Sequence, residues 1–486
     1  MSVKDTMPLY YSAYFKTGHV SSYAILINLF ICTQVGYFLT KRCTNGSLTA
    51  MVCPTTTDPA PSLFLTPPFP SCSQTLDGKH PQSDPHFFQR REFCFTLDGD
   101  IFVRYQSFKD GQEMQAAIRD RCPAKIDIGP VYNIDPQRRA AYAAGKGFTP
   151  QQREVVFDID LTDYDDVRTC GKEGHICTKC WPLMAASIAI LDRGLREDFG
   201  FQHILFVYSG RRGVHAWVCD ERARALTDEQ RAAVANYFAV YKGQEKGLAK
   251  LATTMEDHPA VARAYEILRP VFDTKIIKEQ DLLNTTTSAE HGENFLNYLP
   301  SEPLKEEIRR GWAAAPLEAT SSAKWTIFLD KVEKERAALV KAKEFRAAKA
   351  LEKGVKDLVF AYSYPRLDME VSKKMNHLLK APFCVHPKTG KVCVPIDPAH
   401  AWSFNPDTVC TVGGLLNQLK TPAATAIAGH ATNATTSTNE EKWKGTDMEE
   451  AVETFRACFL EALQTESKEV LAAKSREVAA APTLAW

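Results

Sequence analysis

The stretch REVVFDIDLTDYDD, residues 153–166, says most about the fold of this chain. Side chains alternate along an extended strand, so its apolar residues would face one side while Asp158 and Asp160 face the other. The two carboxylates would then lie ~7 Å apart on one rigid surface. Such a pair suits a hard divalent cation, which prefers oxygen ligands. The same sequence is compatible with an acidic edge strand whose charges only keep the sheet soluble. The apolar flanking residues instead favour a buried strand whose two carboxylates have a function.

The composition is that of a globular chain with an even balance of charge. A length of 486 residues favours two or three structural units. The 59 basic and 59 acidic residues give a formal net charge of zero, so a nucleic-acid-binding surface would depend on local basic clusters and bound cations. The 14 cysteines are scattered and lie largely inside apolar runs, which is typical of reduced thiols in the cytosol or nucleus.

Turn signals and hydrophobic periods divide the first half of the chain into β-rich and helical segments. The β-rich runs begin near Phe87, and a helical stretch is expected from about Pro182 to Phe199. A hairpin is expected next, where HILFVYS and VHAWVCD flank the glycine-bounded loop 210–213.

Helical periodicity dominates the chain from Thr227 to about Gly354. It begins with a capping box formed by Thr227 and Gln230. Strand and loop character is expected again in LVFAYSYPRLDMEV, residues 358–371. The last helix is expected from Met448 to about Ala480, with an apolar stripe along one side.

A compact cluster of potential metal ligands follows the acidic strand. The pattern Cys170-x4-His175-x-Cys177-x2-Cys180 supplies three thiols and one imidazole, a complete tetrahedral set that includes the common C-x2-C half-site. A group of reactive or buried cysteines is the alternative, but the tight spacing and the fourth ligand favour zinc. Four protein ligands leave no open coordination position, so a zinc ion here would be structural.

The expected hairpin loop carries groups that suit phosphate. In YSGRRGVHAW, Arg211 and Arg212 lie between two glycines, with Ser209 and His215 near the strand ends. Backbone N–H and guanidinium groups both match phosphate oxygens, although a basic turn on the surface has the same sequence. A later stretch, RLDMEVSKKMNHLLKAPFCVHPKTGKVCVPID, residues 366–397, adds another carboxylate and a polar, basic run.

These blocks occur together in one known family. VFDIDLTDYDDVR, the cysteine cluster, DFGFQHILFVYSGRRGVHAWVCD and the 366–397 block resemble the small catalytic subunits of eukaryotic-type DNA primases, within the archaeo-eukaryotic primase superfamily. EFCFTLDGDIFVRYQSF and KIDIG also fit this family. The resemblance covers residues 87–240 and 356–400 in order, and the segment between them fits the family's helical subdomain only by position and composition.

By this resemblance, the acidic residues form the catalytic metal site. Asp158 and Asp160 would bridge two Mg²⁺ or Mn²⁺ ions, and Asp368 would complete the cluster from a distant strand. One ion would activate the primer 3′-hydroxyl, and both would stabilise the in-line displacement of pyrophosphate.

The resemblance also implies a set of nucleotide-binding residues. The triphosphate would be held by polar and basic side chains, namely Ser209, Arg211, Arg212, His215, Lys380 and His386. Their positive charge would offset the charge that develops on the transferred phosphoryl group. Arg104 and Asp127 match positions near the incoming nucleotide, where Asp127 would contact the ribose, and Glu92 matches a family glutamate near the initiating site.

The implied fold is α/β, of the α+β type: a primase catalytic domain of two β-rich halves with an inserted zinc knuckle and helical subdomain. The implied boundaries are an atypical N-terminal region (1–86), a first catalytic part (87–240) with the knuckle (170–180), the helical subdomain (241–355), a closing catalytic part (356–420), and a linker with a C-terminal helix (421–486).

The implied function is that of a DNA-directed RNA polymerase that makes short RNA primers on single-stranded DNA from ribonucleoside triphosphates. By resemblance the chain works as a heterodimer with an iron–sulfur large subunit, attached to the DNA polymerase α complex in the nucleus, and no membrane partner is expected. A net charge of zero is compatible with an enzyme whose affinity for DNA comes partly from a partner protein and from bound metal ions.

Two features depart from the family pattern. Many eukaryotic members carry adjacent cysteines at the first zinc position, whereas Gly171 follows Cys170 here, so His175 would supply the missing ligand as in archaeal relatives. The second departure is N-terminal: residues 16–86, with the apolar run Tyr23–Leu39, stand where the family's first helix should continue. We expect this segment to derive from an unspliced intron or a wrong start in the gene model, and to be neither a membrane anchor nor part of the catalytic fold.

Three other functions fit parts of this sequence. A primase-polymerase or end-joining repair polymerase of the same superfamily would share the acidic strand, but the zinc cluster and the HPKTGKVCVPID block favour the replicative primase. A non-catalytic, zinc-containing nucleic-acid-binding scaffold would keep only the fold, and the retention of three carboxylates argues against it. A membrane-anchored protein is supported only by residues 23–39, a run of borderline length for a membrane span.

Overall fold

A computed structural model gives the structure of the chain over most of its length. The residues that it describes are 86–142, 147–171, 176–245, 248–284, 288–316, 319–420 and 443–480. The expectations for the N-terminal region up to residue 85 therefore lie outside the described residues. Across the described ranges, no helix is both long enough and apolar enough to cross a membrane.

The chain combines α-helices with antiparallel β-sheets, so it belongs to the α+β class, as predicted. The strands are β1 (Arg91–Leu97), β2 (Ile101–Gln106), β3 (Lys125–Tyr132), β4 (Pro150–Gln152), β5 (Val155–Asp160), β6 (Ile204–Tyr208), β7 (Gly213–Val218), β8 (Tyr241–Glu245), β9 (Leu248–Leu251), β10 (Leu379–Lys380) and β11 (Pro395–Ile396). The α-helices are α1 (Gly111–Arg121), α2 (Trp181–Glu197), α3 (Glu221–Arg224), α4 (Asp228–Phe238), α5 (Pro259–Val271), α6 (Ser288–Asn297), α7 (Glu302–Ala314), α8 (Ser321–Lys341), α9 (Phe345–Ser363), α10 (Met369–Lys373), α11 (Val412–Lys420), α12 (Glu449–Phe455) and α13 (Glu461–Ala480).

The described residues form two compact units. Of the described residues, the first unit contains those up to Arg153, the segment Leu378–Pro395, and those from Cys410 onward. The second unit contains Glu154–His377 and Ile396–Val409. These units are defined by compactness, and the boundaries implied by the family resemblance stay a prediction.

The first unit is built on a five-stranded antiparallel sheet with an aromatic core. The strand order is β10-β3-β1-β2, and β4 pairs with β3. Alternation along β1 sends Phe93 and Phe95 to one face of the sheet, where their rings contact Phe108 at centroid distances of 5.7 and 5.8 Å. Burial of these rings fixes which face of β1 is turned to the core.

The predicted C-terminal helix is present in the first unit. It forms as α12 and α13, joined by a π-helical turn at Arg456–Leu460. The predicted apolar stripe is buried, and its members are Val452, Phe455, Phe459 and Leu463. Phe455 contacts Phe383 edge to face at 5.5 Å, so the stripe packs against the segment that contains β10.

The second unit contains a four-stranded sheet and most of the helices. The strand order is β11-β6-β7-β5. The hairpin predicted from HILFVYS and VHAWVCD is present as antiparallel β6 and β7, and the helical stretch predicted before it is α2. Trp181 at the start of α2 is buried, donates its indole N–H to the Ala401 carbonyl at 2.8 Å, and packs edge to face on Tyr208 of β6.

One prediction for the helical half of the chain was wrong in part. Strand and loop were expected from residue 358, but α9 continues through Ser363, and only residues 364–368 lack helix or strand. Buried apolar residues recur there at helical spacing, namely Leu351, Val355, Leu358 and Tyr362. Packing of this face overrides the β propensity of the aromatic and β-branched residues in LVFAYS. The segment in which helices were expected to dominate is mainly helical, and it also includes the hairpin β8–β9, which pairs Tyr241 with Leu251.

A buried arginine stabilises the region where α4 begins. The predicted capping box forms at the start of this helix. Arg231 lies in its first turn and is fully buried, and burial lowers the pKa of its guanidinium group to about 10. The guanidinium donates hydrogen bonds to the backbone carbonyls of Leu226, Arg224 and Glu154 at 2.9, 2.9 and 3.0 Å. Because Glu154 precedes β5, Arg231 ties α4 to the acidic strand.

We predict that Arg231→Met lowers the free energy of unfolding by about 2–4 kcal/mol, because it leaves buried carbonyl oxygens without donors. Urea denaturation followed by circular dichroism measures this change. Arg193→Met is the matched control, since Arg193 forms a surface ion pair with Glu197 and its loss should cost less than about 0.5 kcal/mol. Equal effects of the two substitutions would contradict the structural role of Arg231.

Candidate active site

The antiparallel pairing of β5 with β7 brings four predicted site residues to one face of the second unit's sheet. Asp158 lies opposite His215, and Asp160 lies opposite Gly213. Ser209 follows β6, and its Oγ accepts a 2.9 Å hydrogen bond from the Gly213 N–H. Residues directly opposite each other in an antiparallel pair project from the same face. The two carboxylates, His215 and Ser209 therefore share one surface.

Each strand carboxylate has a basic neighbour. Asp160 Oδ2 forms a 2.8 Å ion pair with Arg212 Nε, while Asp160 Oδ1 accepts a 2.9 Å hydrogen bond from the Thr162 N–H. His215 Nε2 lies 3.6 Å from Asp158 Oδ1. The Asp158 and Asp160 side chains are 30% and 35% exposed. Both carboxylates are thus held by neighbours yet accessible to a ligand.

Asp368 joins the same site from outside the sheet. Its backbone N–H donates a 3.0 Å hydrogen bond to the Asp158 carbonyl, so the two segments are in direct contact. The resemblance implied a strand position for Asp368, but this residue is the N-cap of the short helix α10. Its Oδ1 accepts a 3.1 Å hydrogen bond from the Glu370 N–H. An aspartate satisfies the free N–H groups at a helix start, which is the physical reason for this position.

Residues that the sequence patterns did not indicate hold the acidic segments together. The buried Tyr164 hydroxyl accepts a 3.0 Å hydrogen bond from the Arg366 N–H and donates to the Tyr364 carbonyl at 3.2 Å. The Arg366 guanidinium lies 5.0 Å from the centre of the Tyr164 ring and forms an ion pair with Asp166. In the sequence, these contacts are indicated only by the acidic run DYDD, residues 163–166, which does not show that Tyr164 and Asp166 contact Arg366.

Negative charge is concentrated around this site. Burial raises the pKa of Asp163 above its ordinary value, and the neighbouring carboxylates of Asp160 and Asp368 raise it further. The guanidinium groups of Arg366 and Arg212 act in the opposite direction. The excess of carboxylates over cations at this site favours the binding of positive ions.

The β6–β7 loop depends on a glycine at the start of β7. A Cβ on Gly213 would lie 2.4 Å from the Ile159 carbonyl oxygen, so only glycine lets β7 approach β5 this closely. The Tyr208 hydroxyl donates a 2.8 Å hydrogen bond to the Arg211 carbonyl and fixes the loop from its other side. The loop thereby carries Arg212 to Asp160.

The remaining predicted nucleotide-binding residues belong to the first unit. Lys380 on β10 lies opposite Asp127 on β3, and Asp127 forms a 2.9 Å ion pair with Lys125. His386 lies in a turn after β10, where its Nδ1 accepts a 3.2 Å hydrogen bond from the Lys388 N–H.

Glu92 and Arg104 form a pair in the same sheet. Glu92 is fully buried, and its carboxylate accepts hydrogen bonds from Arg104 Nε at 2.9 Å and from the Tyr132 hydroxyl at 3.0 Å. Burial, and then the charge of Glu92, raises the pKa of Tyr132 above its ordinary value. The Glu92 carboxylate therefore fixes the orientation of Arg104.

Three of the predicted zinc ligands gather before α2. The sulfur atoms of Cys170, Cys177 and Cys180 all lie within 4.8 Å of one another, which is close enough for one metal ion. The hydrogen bond from Cys170 lowers the pKa of the Cys180 thiol to about 6, which favours the thiolate form that binds metals. His175, the fourth predicted ligand, lies outside the described residues.

Comparison with known proteins identifies the family of this chain. The family model for the DNA primase small subunit matches residues 157–398, which include the three carboxylates and the arginine loop. The chain is 41% identical over 357 residues to the DNA primase small subunit of Schizosaccharomyces pombe, covering 73% of this chain and 76% of that protein. It is 38% identical over 344 residues to that of Drosophila melanogaster, covering 69% and 76%. It is also 31% identical over 168 residues to the DNA primase small subunit PriS of Thermococcus kodakarensis, covering 33% and 45%. The chain therefore belongs to the DNA primase small subunit family.

Proposed function

We propose that this chain joins ribonucleotides into short RNA primers on single-stranded DNA, using two divalent cations held by Asp158, Asp160 and Asp368. Membership of the primase small subunit family makes the chain a nucleotidyltransferase. The proposal depends on one observation, the backbone hydrogen bond from Asp368 to Asp158, which brings the segment of the third carboxylate against the strand that carries the other two. A repair polymerase or a non-catalytic scaffold has less support, because the similar proteins are named DNA primase small subunits.

The acidic site fits Mg²⁺ or Mn²⁺. Its donors are carboxylate oxygens, which these hard cations prefer. Asp158 and Asp160 are fixed on one strand, and the carboxylates of Asp160 and Asp368, which after burial raise the pKa of Asp163, carry negative charge that bound cations would offset. When bound, the cations would supply activation of the attacking hydroxyl and neutralisation of the leaving pyrophosphate.

The β6–β7 loop would bind the nucleotide triphosphate. Arg212 already contacts Asp160 and has further N–H donors in its planar guanidinium group for phosphate oxygens. His215, buried beside Asp158, would donate a ring N–H to a phosphate oxygen. Ser209 would hold the loop in place through Gly213, and Arg211 would add a second guanidinium group from the loop.

We assign the first-unit residues to the nucleotide by resemblance. Lys380 and His386 would bind phosphate oxygens, and Arg104 would contact the incoming nucleotide. Asp127 would accept a hydrogen bond from a ribose hydroxyl. Glu92 would act through Arg104, because the hydrogen bonds described for its carboxylate come from protein groups.

We further propose a structural zinc ion and a partner subunit. Cys170, Cys177 and Cys180 would bind zinc with His175 as the fourth ligand, because thiolates and imidazole complete a tetrahedron. The designation of the relatives as small subunits supports a large subunit as partner. We propose that this partner is the iron–sulfur large subunit, and that the heterodimer works with the DNA polymerase α complex in the nucleus.

We predict that Asp160→Ala lowers the rate of primer synthesis by roughly a hundredfold or more, because it removes stabilisation of charge in the transition state. The assay is de novo synthesis on a polypyrimidine template with ribonucleotides and Mn²⁺. Asp330→Ala is the control, since Asp330 forms a surface ion pair with Lys334 on α8. Synthesis by Asp160→Ala at the wild-type rate would exclude the metal assignment.

We predict that Arg211→Gln raises KM for nucleotides and lowers kcat together, because the guanidinium group would bind the triphosphate in both the ground state and the transition state. Steady-state kinetics at saturating template measures both constants, and template affinity should change little. Arg193→Gln removes the same charge from the exposed face of α2 and should change neither constant. Loss of template binding with an unchanged KM would instead make the loop a DNA clamp.

We predict about one tightly bound zinc ion per chain, measured by elemental analysis of the purified protein. Cys177→Ser should release the metal and lower the melting temperature, because the ligands then lose the ion that crosslinks them. Cys458→Ser is the control, since Cys458 is an exposed thiol in the π-helical turn and its loss should leave the zinc content unchanged. A wild-type protein without zinc would refute this assignment.

A further inference from the structure

The helical hairpin α8–α9 ends in an exposed segment, which we call the hairpin tip (residues 340–349). Helix α8 ends at Lys341 and α9 begins at Phe345, so the connection between them is short. Every residue from Val340 to Arg346 is exposed in the described structure, and burial returns at Ala348. This end of the hairpin therefore stands clear of the core of the second unit.

The hairpin tip is strongly basic. It contains four cationic side chains and one carboxylate, a net charge of +3, in a chain whose total formal charge is zero. Among the described residues, no ion pair is formed by Lys341, Lys343 or Arg346. By contrast, Lys334 on the preceding turns of α8 pairs with Asp330 at 2.7 Å. The charge of the tip is thus largely available to an external ligand.

The hairpin tip also exposes an aromatic ring that the turn does not need. Phe345 is 62% exposed, and Val340 is 40% exposed. The turn is closed by backbone hydrogen bonds, from the Lys343 N–H to the Val340 carbonyl at 3.0 Å and from the Glu344 N–H to the Leu339 carbonyl at 2.8 Å. A turn with only a structural role would require neither an exposed aromatic ring nor an excess of cations.

We propose that the hairpin tip binds single-stranded nucleic acid, with its lysine and arginine side chains on backbone phosphates and the Phe345 ring stacked on a base. Proteins that bind single strands without reading their sequence combine cations with exposed aromatic rings in this way. An acidic protein segment would be attracted by the same charge, but its carboxylates have no π-face to stack on the Phe345 ring, whereas every nucleotide base has one. The inference rests on the proposed function in one respect, since the template is the single strand that the tip would hold.

Lys343 provides the first test, because charge and turn stability can be separated there. This residue has φ 62°, a left-handed conformation that glycine adopts more easily. Lys343→Gly should therefore keep or raise the melting temperature of the full chain. It should also weaken binding of a fluorescein-labelled oligothymidylate of about 20 nucleotides, and reduce the salt dependence, the slope of log affinity against log salt, by about 0.7. Lys334→Gln, on the exposed face of α8, should change neither the affinity for the oligonucleotide nor its salt dependence. An unchanged salt dependence for Lys343→Gly would overturn the proposal.

Phe345 provides the second test, because size and aromatic character can be separated there. Phe345→Leu should weaken oligothymidylate binding roughly tenfold, whereas Phe345→Trp should bind at least as tightly as the wild type, because stacking requires a π-face. Trp402→Leu, at another exposed aromatic residue of the second unit, is the control and should have no effect. If Phe345→Leu binds as the wild type does and polyglutamate competes as well as the oligonucleotide, the tip binds acidic protein segments and the proposal is wrong.

Primer synthesis at saturating template separates this inference from the proposed function. Absence of synthesis by the wild-type chain, with oligonucleotide binding that depends on the tip, would overturn the proposed function alone. Normal synthesis, with oligonucleotide binding that none of the tip substitutions weakens, would overturn this inference alone.

Discussion

The pairing of β5 with β7 is the constraint on which the acidic site depends. Side chains on a strand alternate between two faces, so a shift of one residue would turn Asp158 and Asp160 into the core and expose their neighbours. Burial of Phe157 and Ile159 opposes such a shift, since it would place both side chains in water. Gly213 adds a second restraint, because only at a glycine can β7 come so close to the Ile159 carbonyl. Hydrophobic burial of the strand therefore also determines where Asp158 and Asp160 lie.

The third carboxylate is positioned by buried polar contacts instead of a sheet. Tyr164 and Arg366 belong to segments about 200 residues apart in sequence. The hydrogen bond from the Arg366 N–H to the Tyr164 hydroxyl holds these segments together and so positions Asp368, the N-cap of α10. A buried hydroxyl or guanidinium group without partners would be costly, so these contacts strongly favour one arrangement of the two segments. The same arrangement crowds carboxylates together, which opposes folding. Arg366 and Arg212 offset part of that repulsion, and bound cations would offset the rest.

Zero net charge is compatible with binding of a polyanion because electrostatic interactions in salt are local. At physiological ionic strength the screening length is about 8 Å, so a phosphate group responds to the nearest side chains and not to the total charge. In this chain, acidic and basic side chains are concentrated in different places. Carboxylates collect at the end of β5, arginines collect in the β6–β7 loop, and an excess of cations collects at the hairpin tip. Most other cations of α8 and α9 lie in ion pairs, such as that of Lys334 with Asp330.

The sequence by itself determined the features that depend on near neighbours along the chain. Alternation predicted the strand that carries Asp158 and Asp160, turn residues predicted the arginine hairpin, and cysteine spacing predicted the thiol cluster. The tertiary structure alone decided that LVFAYS is helical and that Asp368 caps a helix instead of lying on a strand. It also decided that Glu92 is a buried partner of Arg104. The physical reason is that local periodicity depends on residues that are close in sequence. Burial and hydrogen-bond partners depend on segments that come together only when the chain folds.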